Sequence, residues 1–369
     1  MRKLLVTGGA GFIGSNFVYY WTEHHTADVV VVLDVLTYAG NRTTIFPLID
    51  EQKITFTHGD IVDAQLVGNL LLEHDIDTIV HFAAESHVDR SIVDPGAFVR
   101  TNVVGTQVLL DAAVQSWRAD NHWKPGVRFH HVSTDEVYGS LEPADAPFTE
   151  QTPYAPSSPY AASKAGSDHL VRAYTHTYGL PTSISNCSNN YGPYQFPEKL
   201  IPLMIVNALH GKSLPLYGDG HQVRDWLYVE DHCAAIDKML HASVAGETFN
   251  VGGRAERTNI DIVHNICALI DHRFANHPLL ASKFPDCPAA RGTSTASLIS
   301  FVKDRPGHDR RYAIDPSRIS DALQFEPSET IGTGLARTVD WYLSHHEWWI
   351  AVQDGSYRTW ISQQYGNIG

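Results

Sequence analysis

Lysine, arginine, cysteine and long apolar runs are all scarce in this sequence. Lys and Arg together number 27 against 41 Asp and Glu, so the formal net charge is −14. A chain this acidic is unsuited to wrapping nucleic acid or to binding an anionic membrane surface. No apolar run approaches the ~18–20 residues of a membrane span, and the N-terminus lacks the apolar stretch of a signal peptide. We therefore expect a cytoplasmic protein with no nucleic-acid or membrane partner.

The few cysteines and the numerous histidines form no recognisable ligand motif. The four cysteines (Cys187, Cys233, Cys267 and Cys287) include no C-x-x-C pair. Reduced, buried thiols are expected in a chain of this size. Histidine occurs 21 times, yet no H-E-x-x-H is present. The sequence therefore predicts no metal site.

Short apolar runs alternate with amphipathic stretches through the first half of the chain. Five runs predict strands: Leu4–Thr7, Val29–Asp34, Ile54–His58, Thr78–Phe82 and Arg128–Ser133. Helical spacing lies between them, at Phe12–Glu23, Asp63–His74 and Asp94–Trp117. This alternation predicts an α/β fold with a Rossmann-type, doubly wound parallel sheet. The length of 369 residues leaves room for a second, smaller domain of mixed α/β structure.

Two later segments have the composition of loops. Gly, Pro, Tyr and Asn cluster at residues 189–194, and loops of this kind carry ligand contacts in open α/β folds. The segment from about His272 to Phe301 is rich in Pro, Ser, Ala and Thr. Its composition predicts an irregular surface insertion.

A glycine-rich turn follows the first predicted strand. Gly8, Gly11 and Gly14 have G-x-x-G-x-x-G spacing, with a strand before them and a helix after them. Such glycines allow a tight turn and close approach to a pyrophosphate, which then faces the N-terminus of the helix. Asp34 ends the second strand, where a carboxylate accepts hydrogen bonds from ribose hydroxyls and disfavours a 2′-phosphate. The pattern predicts NAD rather than NADP, with Asp60 beside the adenine.

Tyr160 and Lys164 are one helical turn apart, behind Pro159 at a predicted helix start. An ammonium close to a phenol lowers the pKa of the phenol from ~10 towards neutrality. The resulting phenolate can take a proton from a sugar hydroxyl while a hydride leaves the same carbon. The pair therefore predicts a hydride-transfer site.

Asp135 and Glu136 follow the fifth predicted strand, where ligands bind in open α/β sheets. Simple oxidation needs a single base, so two further carboxyl groups favour an elimination with its own acid and base. Adjacent strand residues point to opposite faces. Both groups can serve one site only if the chain turns there; the alternative is an exposed acidic turn.

Eight stretches, in order along nearly the whole chain, resemble one family. They are TGGAGFIG, LTYAGN, HFAAESHVDRS, STDEVYG, YAPSSPYAASK, NCSNNYGPYQFPEKLIP, RDWLYVEDH and DRPGHDRRYAID. The sequence is similar to the extended short-chain dehydrogenase/reductase superfamily and, within it, to the dTDP-glucose 4,6-dehydratases. That resemblance implies conversion of dTDP-glucose to dTDP-4-keto-6-deoxyglucose and water, with NAD recycled.

The resemblance also implies a role for each catalytic residue. Tyr160, with Lys164, would deprotonate the C4 hydroxyl, and Thr134 would hydrogen-bond the C4 oxygen. Glu136 would remove the C5 proton, and Asp135 would protonate the departing C6 hydroxyl. Asp135 must carry a proton near pH 7, so we expect burial or Glu136 to raise its pKa.

Further binding residues follow from the same resemblance. The predicted cofactor-binding residues are Gly8, Gly11, Phe12, Ile13, Gly14, Asp34, Leu36, Thr37, Asp60, Ile61, Phe82, Ala83, Ala84, Ser86, Thr101, Tyr160, Lys164 and Asn190. The predicted substrate-binding residues are Ser86, Thr134, Asn189, Lys199, Leu200, Pro215, Leu216, Tyr217, Arg224, Asn259, Asp304, Arg305, Pro306, Gly307 and His308. A homodimer is implied, through helices within Asp94–Trp117 and Ser158–Tyr178.

The predicted domains are interleaved. Residues 1–188 form the NAD-binding domain, to which 223–250 return, and residues 189–369 mainly bind the nucleotide sugar. Three alternative functions share this fold: a UDP- or CDP-glucose 4,6-dehydratase, a nucleotide-sugar 4-epimerase and a non-catalytic NAD sensor. An epimerase eliminates no water and does not need Asp135 and Glu136, and a sensor does not need Tyr160 and Lys164.

Overall fold

The computed structural model describes residues 1–304 and 309–353. Its strands are β1 (Lys3–Thr7), β2 (Val29–Asp34), β3 (Thr55–His58), β4 (Thr78–His81), β5 (Arg118–Ala119), β6 (His122–Trp123), β7 (Arg128–Thr134), β8 (Thr182–Cys187), β9 (Asn189–Tyr191), β10 (Leu214–Tyr217), β11 (Val223–Tyr228), β12 (Glu247–Val251), β13 (Glu256–Thr258) and β14 (Ile299–Val302).

The helices alternate with these strands. They are α1 (Phe12–His24), α2 (Arg42–Asp50), α3 (Ala64–Glu73), α4 (Val88–Val93), α5 (Pro95–Phe98), α6 (Thr106–Trp117), α7 (Pro159–Tyr178), α8 (Leu200–Leu209), α9 (Val229–His241), α10 (Asn259–Asn276), α11 (Leu279–Lys283), α12 (Ser317–Leu323), α13 (Ile331–Ser344) and α14 (His346–Val352). A π-helical stretch, Val99–Gly105, joins α5 to α6, and 3-10 turns occupy Asp135–Tyr138, Pro288–Arg291 and Thr295–Leu298.

Seven parallel strands form the central sheet, in the order β12-β8-β7-β4-β1-β2-β3. The five strands predicted from the sequence all lie in this sheet, with ends that differ by at most one residue. The chain order reverses at β1, which pairs with both β2 and β4. Ligands bind at such a reversal, outside the carboxyl ends of the strands. The predicted Rossmann-type α/β fold is confirmed.

Helices cover both faces of the sheet, which explains why the inner strands β1 and β2 are nearly continuous apolar runs. β2 reads VVVVLD and is buried from Val30 onward. On one face the strands share a core with α1 and α9, to which Trp21 and Ile236 contribute. On the other face the core includes Leu70 of α3 and Leu109 of α6. The sheet is therefore a fixed platform for the loops at its carboxyl edge.

The second half of the chain builds another core. β9, β11 and β13 form one small sheet, and β10 pairs in parallel with β14. Helices α8, α10 and α13 pack around them. Between these elements, α9 packs on α1 and β12 joins the edge of the central sheet beside β8. No helix in the described part of the chain is long and apolar enough to cross a membrane.

The segment from His272 to Phe301 is more regular than its composition predicts. α10 continues to Asn276, α11 follows, and β14 pairs with β10. Phe284 and Cys287 are buried in the core of the second half. The prediction of an irregular surface insertion is therefore wrong, because these two side chains and the strand pairing tie the segment to the core.

Candidate active site

The glycine turn, residues 8–14, joins β1 to α1 through close backbone approach. Gly8 has a φ of +71°, and a Cβ there would lie 2.6 Å from the Ala83 nitrogen. A Cβ on Gly14 would lie 2.2 Å from the Gly8 carbonyl oxygen. Any larger residue would collide with the backbone at both positions. The predicted tight turn is therefore present.

The helix that follows this turn is suited to an anion. Gly11 is the N-cap of α1, and in the described residues no side chain caps this helix or places a carboxylate in its first turn. Uncapped N–H groups and the helix dipole favour a phosphate at this end. The arrangement fits the diphosphate of a dinucleotide.

Gly14→Ala is expected to destabilise the fold by about 1–3 kcal/mol, because its Cβ would overlap the Gly8 carbonyl oxygen. Gly68→Ala in α3 is the matched control, since a Cβ there meets no described atom within 4 Å. Alanine at that helical position is expected to stabilise by about 0.5–1 kcal/mol. Chemical denaturation measures both variants. Equal free energies of unfolding would contradict the close approach at Gly14.

Asp34 holds the glycine turn against the end of β2. Its Oδ2 accepts a hydrogen bond from the Ala10 N–H at 2.9 Å, and its Oδ1 accepts one from the Leu36 N–H at 2.8 Å. Burial raises the pKa of Asp34, and these two hydrogen bonds oppose that rise. A carboxylate can accept about four hydrogen bonds, so it retains capacity for ribose hydroxyls.

A large cleft of about 490 Å³ opens beside the glycine turn. It is lined by the following predicted cofactor-binding residues: Gly8, Gly11, Phe12, Ile13, Gly14, Asp34, Thr37, Asp60, Ile61, Phe82, Ala83, Ala84, Ser86, Thr101, Tyr160, Lys164 and Asn190. Leu36 is not in this lining; its side chain packs against the core beneath the sheet. Its N–H donates a hydrogen bond to Asp34, and its contact with the cofactor stays a prediction.

The chain turns directly after β7, as the use of both carboxyl groups requires. Thr134 ends the strand, and a 3-10 turn begins at Asp135. The Thr134 hydroxyl oxygen accepts a hydrogen bond from the Glu136 N–H at 3.3 Å and lies 3.4 Å from Asp135 Oδ1. Thr134, Asp135 and Glu136 all line the large cleft, together with Tyr160 and Lys164. The structure therefore brings the five predicted catalytic residues together.

Asp135 is only 2% exposed, and its Oδ2 makes no hydrogen bond within the described residues. Burial raises the pKa of Asp135 well above its ordinary value, and the nearby charges of Glu136 and Asp225 raise it further. The raised pKa favours the protonated carboxyl group, which is the form that can donate a proton. The predicted rise in the pKa is confirmed, with both of its expected causes.

Tyr160 and Lys164 lie in the first turns of α7, which Pro159 opens and the Ser158 hydroxyl caps. Burial raises the pKa of Tyr160 well above 10, and the Glu136 charge adds to this effect. The Lys164 ammonium donates a hydrogen bond to the Val132 carbonyl at 2.8 Å. The predicted fall in the pKa of Tyr160 towards neutrality is therefore wrong for this structure, because burial raises that pKa instead.

A buried polar network behind Lys164 was not predicted from the sequence. Lys164 Nζ lies 3.4 Å from His131 Nε2, which lies 3.2 Å from Asp168 Oδ1. Asp168 Oδ2 accepts hydrogen bonds from the hydroxyls of Ser133 at 2.9 Å and Tyr154 at 2.8 Å. All of these groups but Tyr154 are fully buried. The one local signal was Asp168, a single helical turn after Lys164.

The protonation of Lys164 depends on its burial and on the charge of Asp168. Burial lowers the pKa of Lys164 to about 8, and the Asp168 charge opposes that fall. Burial alone would raise the pKa of Asp168, but the hydrogen bond from His131 and the charges of His131 and Lys164 lower it overall. Asp168 is therefore an anion that helps the buried ammonium keep its proton.

A smaller cleft of about 170 Å³ adjoins the large one. The predicted substrate-binding residues in its lining are Asn189, Lys199, Leu200, Pro215, Leu216, Tyr217, Arg224 and Asn259. Glu136, Asn189 and Lys199 line both clefts, so the two are continuous. Ser86 and Thr134 lie in the large cleft instead.

The remaining predicted substrate residues do not line either cleft or cannot be placed. Asp304 Oδ2 accepts a hydrogen bond from Gln222 Nε2 at 3.1 Å, and neither cleft includes it. Arg305, Pro306, Gly307 and His308 lie outside the described residues.

Comparison with known proteins places the chain among nucleotide-sugar dehydratases. A family model described as GDP-mannose 4,6 dehydratase matches residues 5–338. The chain belongs to this family. A dTDP-glucose 4,6-dehydratase of Xanthomonas campestris is 56% identical over 360 residues, which cover 97% of this chain and 98% of the relative. The predicted family resemblance is confirmed.

Solved structures agree with this family assignment. The dTDP-glucose 4,6-dehydratase of Bacillus anthracis, in complex with NAD, matches with a TM-score of 0.81 and 43% identity, covering 95% of this chain and 100% of that one. A UDP-glucose 4-epimerase of Thermotoga maritima, with UDP-glucose, matches with a TM-score of 0.77 and 25% identity, covering 93% and 99%. The fold is therefore shared between dehydratases and epimerases.

Glu198 is a cleft residue of this family member that sequence reasoning missed. It is 5% exposed, lines both clefts and lies next to the predicted residue Lys199. Burial raises the pKa of Glu198 to about 7, against the opposing charges of Lys199 and Arg90. The sequence signal was a charged residue inside the NCSNNYGPYQFPEKLIP stretch, but nothing there showed that it would be buried.

Proposed function

We propose that the protein catalyses the NAD-dependent dehydration of dTDP-glucose to dTDP-4-keto-6-deoxyglucose. The observation that carries this proposal is the turn at Thr134, which directs Asp135 and Glu136 into the cleft that holds Tyr160 and Lys164. The cleft thus has one group for oxidation and two more for loss of water. The curated relative from Xanthomonas campestris has the same activity in its name.

The residues around the glycine turn fit NAD. The uncapped start of α1 would hold the diphosphate, and Asp34 would accept hydrogen bonds from the adenosine ribose. A carboxylate at this point disfavours the 2′-phosphate of NADP. Bound NAD supplies an acceptor for the hydride that leaves C4, the donor that returns it to C6, and a positive ring charge in its oxidised form.

The side chains of the cleft move the protons. Tyr160 takes the proton of the C4 hydroxyl, while Thr134 hydrogen-bonds the C4 oxygen. Because burial raises the pKa of Tyr160, the phenolate that this step needs depends on the Lys164 charge together with the positive ring charge of bound oxidised NAD. The new ketone acidifies the C5–H bond, and Glu136 accepts that proton. Asp135, whose protonated form burial favours, donates its proton to the C6 hydroxyl, which leaves as water. Glu136 then returns a proton to C5, which completes the 6-deoxy product.

The anionic nucleotide of the substrate would lie in the smaller cleft. Lys199 and Arg224 supply positive charge there, against a chain whose net charge is −14. Arg224 is buried, and its guanidinium lies over the Tyr312 ring at 4.5 Å and donates hydrogen bonds to backbone carbonyls. A guanidinium fixed in this way recognises phosphate with defined geometry.

The dehydratase assignment is favoured over the alternatives on specific grounds. A 4-epimerase eliminates no water, so it has no use for the protonated carboxyl of Asp135 beside Glu136. A non-catalytic sensor has no use for the intact pair of Tyr160 and Lys164. A UDP- or CDP-glucose 4,6-dehydratase would need the same catalytic groups, so the nucleotide must be tested directly.

Incubation with NAD and dTDP-glucose, UDP-glucose or CDP-glucose tests the proposal. Formation of a 4-keto-6-deoxy sugar, followed by mass spectrometry, is expected with dTDP-glucose and should be slower with the other two. Epimerisation without loss of water would show a 4-epimerase. Faster dehydration of UDP-glucose or CDP-glucose than of dTDP-glucose would show that the enzyme prefers that other nucleotide sugar.

The proposal extends to domains, assembly and location. Residues 1–188 with 223–250 are assigned to NAD binding, residues 189–369 mainly to the nucleotide sugar, and the enzyme to the cytoplasm. We expect a homodimer through helices within 94–117 and 158–178, where Val99 and Val104 are exposed apolar side chains. Sedimentation velocity measures the assembly, and a monomer at micromolar concentration would exclude the dimer.

Asp168→Asn should move the basic limb of the pH–rate profile to lower pH by about one unit, because loss of the anion lowers the pKa of Lys164 below about 8. Lys164 then loses its proton at a lower pH than in the wild type. The exposed Asp321→Asn serves as the control. A profile unchanged from the wild type would contradict the coupling, and circular dichroism separates this shift from misfolding.

A further inference from the structure

Three side chains that commonly ligate metals meet where α1 ends against α9. His25 directly follows α1, and Asp237 and His241 are one helical turn apart on α9. One ligand atom from each residue lies within 4.8 Å of those of the other two. None of the three lines either cleft. The cluster lies at the C-terminal end of α1, a helix about 20 Å long whose other end is the glycine turn.

The Asp237 carboxylate lies between the two imidazoles. Its Oδ2 lies 3.0 Å from His25 Nε2, and its Oδ1 lies 2.8 Å from His241 Nδ1. The two imidazole rings face each other, with centroids 5.1 Å apart and planes 25° apart. Each imidazole nitrogen therefore contacts a different oxygen of the carboxylate, and the three side chains are close enough for one ligand atom of each to share a single ion.

Neighbouring aromatic residues hold the cluster in place. The Trp21 ring packs against His25 at 4.1 Å and stacks on His241 at 5.8 Å. The Tyr20 hydroxyl donates a hydrogen bond to Asp237 Oδ2 at 3.1 Å. Outer partners of this kind orient the ligands of metal sites. Asp237 Oδ1 is buried, and its 2.8 Å contact with His241 Nδ1 lacks hydrogen-bond geometry, so a metal ion between these two atoms would replace no well-formed hydrogen bond to that oxygen.

We propose that His25, Asp237 and His241 form a binding site for a divalent transition metal ion of the zinc type. Two imidazole nitrogens and one carboxylate oxygen suit Zn²⁺, whereas Mg²⁺ and Ca²⁺ prefer sites made of oxygen alone. The side chain of His241 is 49% exposed, so water can fill the fourth position. The ion would join the end of α1 to α9.

Binding requires a lone pair on each imidazole nitrogen that ligates. His241 Nδ1 also lies 3.0 Å from the Asp237 carbonyl oxygen, which it contacts as a donor when it carries a proton. The metal–nitrogen bond takes the place of that N–H bond: in a neutral imidazole the proton is then carried on Nε2, and an imidazolium releases one proton to solvent. No oxidation or reduction takes place, so the site needs only the ion itself.

Titration of the chelator-treated protein with ZnCl₂, followed by calorimetry, tests this site. One ion per chain is expected to bind, and saturation should raise the midpoint of thermal unfolding by about 2–4 °C, because the ion binds only where α1 and α9 are packed together. Co²⁺ should give the visible absorption of a tetrahedral site with nitrogen and oxygen ligands.

Two ligand variants and one control decide the assignment. His241→Ala and Asp237→Asn should weaken binding at least tenfold and abolish the thermal shift. His176→Ala removes an exposed histidine of α7. This control should leave the metal affinity and the thermal shift unchanged. Unaltered affinity in His241→Ala, equal losses in all three variants, or no stoichiometric binding to the wild type would each overturn the proposal. Turnover of dTDP-glucose is a separate readout that the site does not determine.

Discussion

Tyr160→Phe is expected to reduce formation of the 4-keto-6-deoxy product by about 10²–10⁴-fold, since the variant loses the group that accepts the C4 proton. The phenol is buried in the large cleft, which Thr134 also lines. Without this acceptor the sugar cannot be oxidised, so reduced nicotinamide should not accumulate either. Stopped-flow absorbance of the nicotinamide together with product analysis measures both steps.

Tyr19→Phe is a suitable control for this result. It removes a phenol hydroxyl whose hydrogen bond, to the Thr44 carbonyl at 2.7 Å, lies outside both clefts. Near-normal turnover is expected from the control. If Tyr160→Phe retained rapid reduction of the nicotinamide, another group would have to be the base, and the assigned role would be wrong.

Glu136→Gln is expected to separate oxidation from loss of water. The substitution keeps the shape of the side chain but removes the base that accepts the C5 proton, so dehydration should slow by about 10²–10⁴-fold. Tyr160 and Lys164 are untouched, so oxidation at C4 should continue and reduced nicotinamide should accumulate without product. Rapid-quench analysis distinguishes the 4-keto intermediate from the 6-deoxy product.

Glu142→Gln is the matched control for this variant, because Glu142 is an exposed carboxylate that follows the same turn. It should behave as the wild type. Complete dehydration at the normal rate by Glu136→Gln would exclude Glu136 as the base. Loss of nicotinamide reduction as well would mean that Glu136 acts before the elimination.

The fold, and the grouping of the predicted catalytic residues in one cleft, were predictable because their signals are local. The glycine spacing, the strand that precedes it and the apolar run of β2 can each be read within a short window. The tandem of Asp135 and Glu136 likewise suggested an elimination before the turn that directs both into the cleft was known. Local patterns of this kind do not depend on how distant segments pack.

The errors and omissions concern properties that packing creates. The pKa of Tyr160 depends on how deeply its phenol is buried, and the spacing between Tyr160 and Lys164 does not reveal that depth. His131 and Asp168 meet only because α7 packs across β7. Similarly, residues 25 and 237 are neighbours only through the contact between α1 and α9. In the segment after His272, two buried side chains outweigh a composition typical of loops.

The hydroxyl of Thr134 has a consequence for repeated turnover. In the proposed mechanism, Tyr160 ends one cycle with the proton taken from C4, whereas Asp135 has given its proton to water, so both groups must be reset before the next cycle. Thr134 lines the same cleft as Tyr160 and lowers the pKa of that phenol, and its hydroxyl lies 3.4 Å from Asp135 Oδ1. A hydroxyl can accept one proton while releasing its own. A proton can therefore pass from Tyr160 through Thr134 to reprotonate Asp135. The enzyme would then return to its starting state without exchanging protons with solvent.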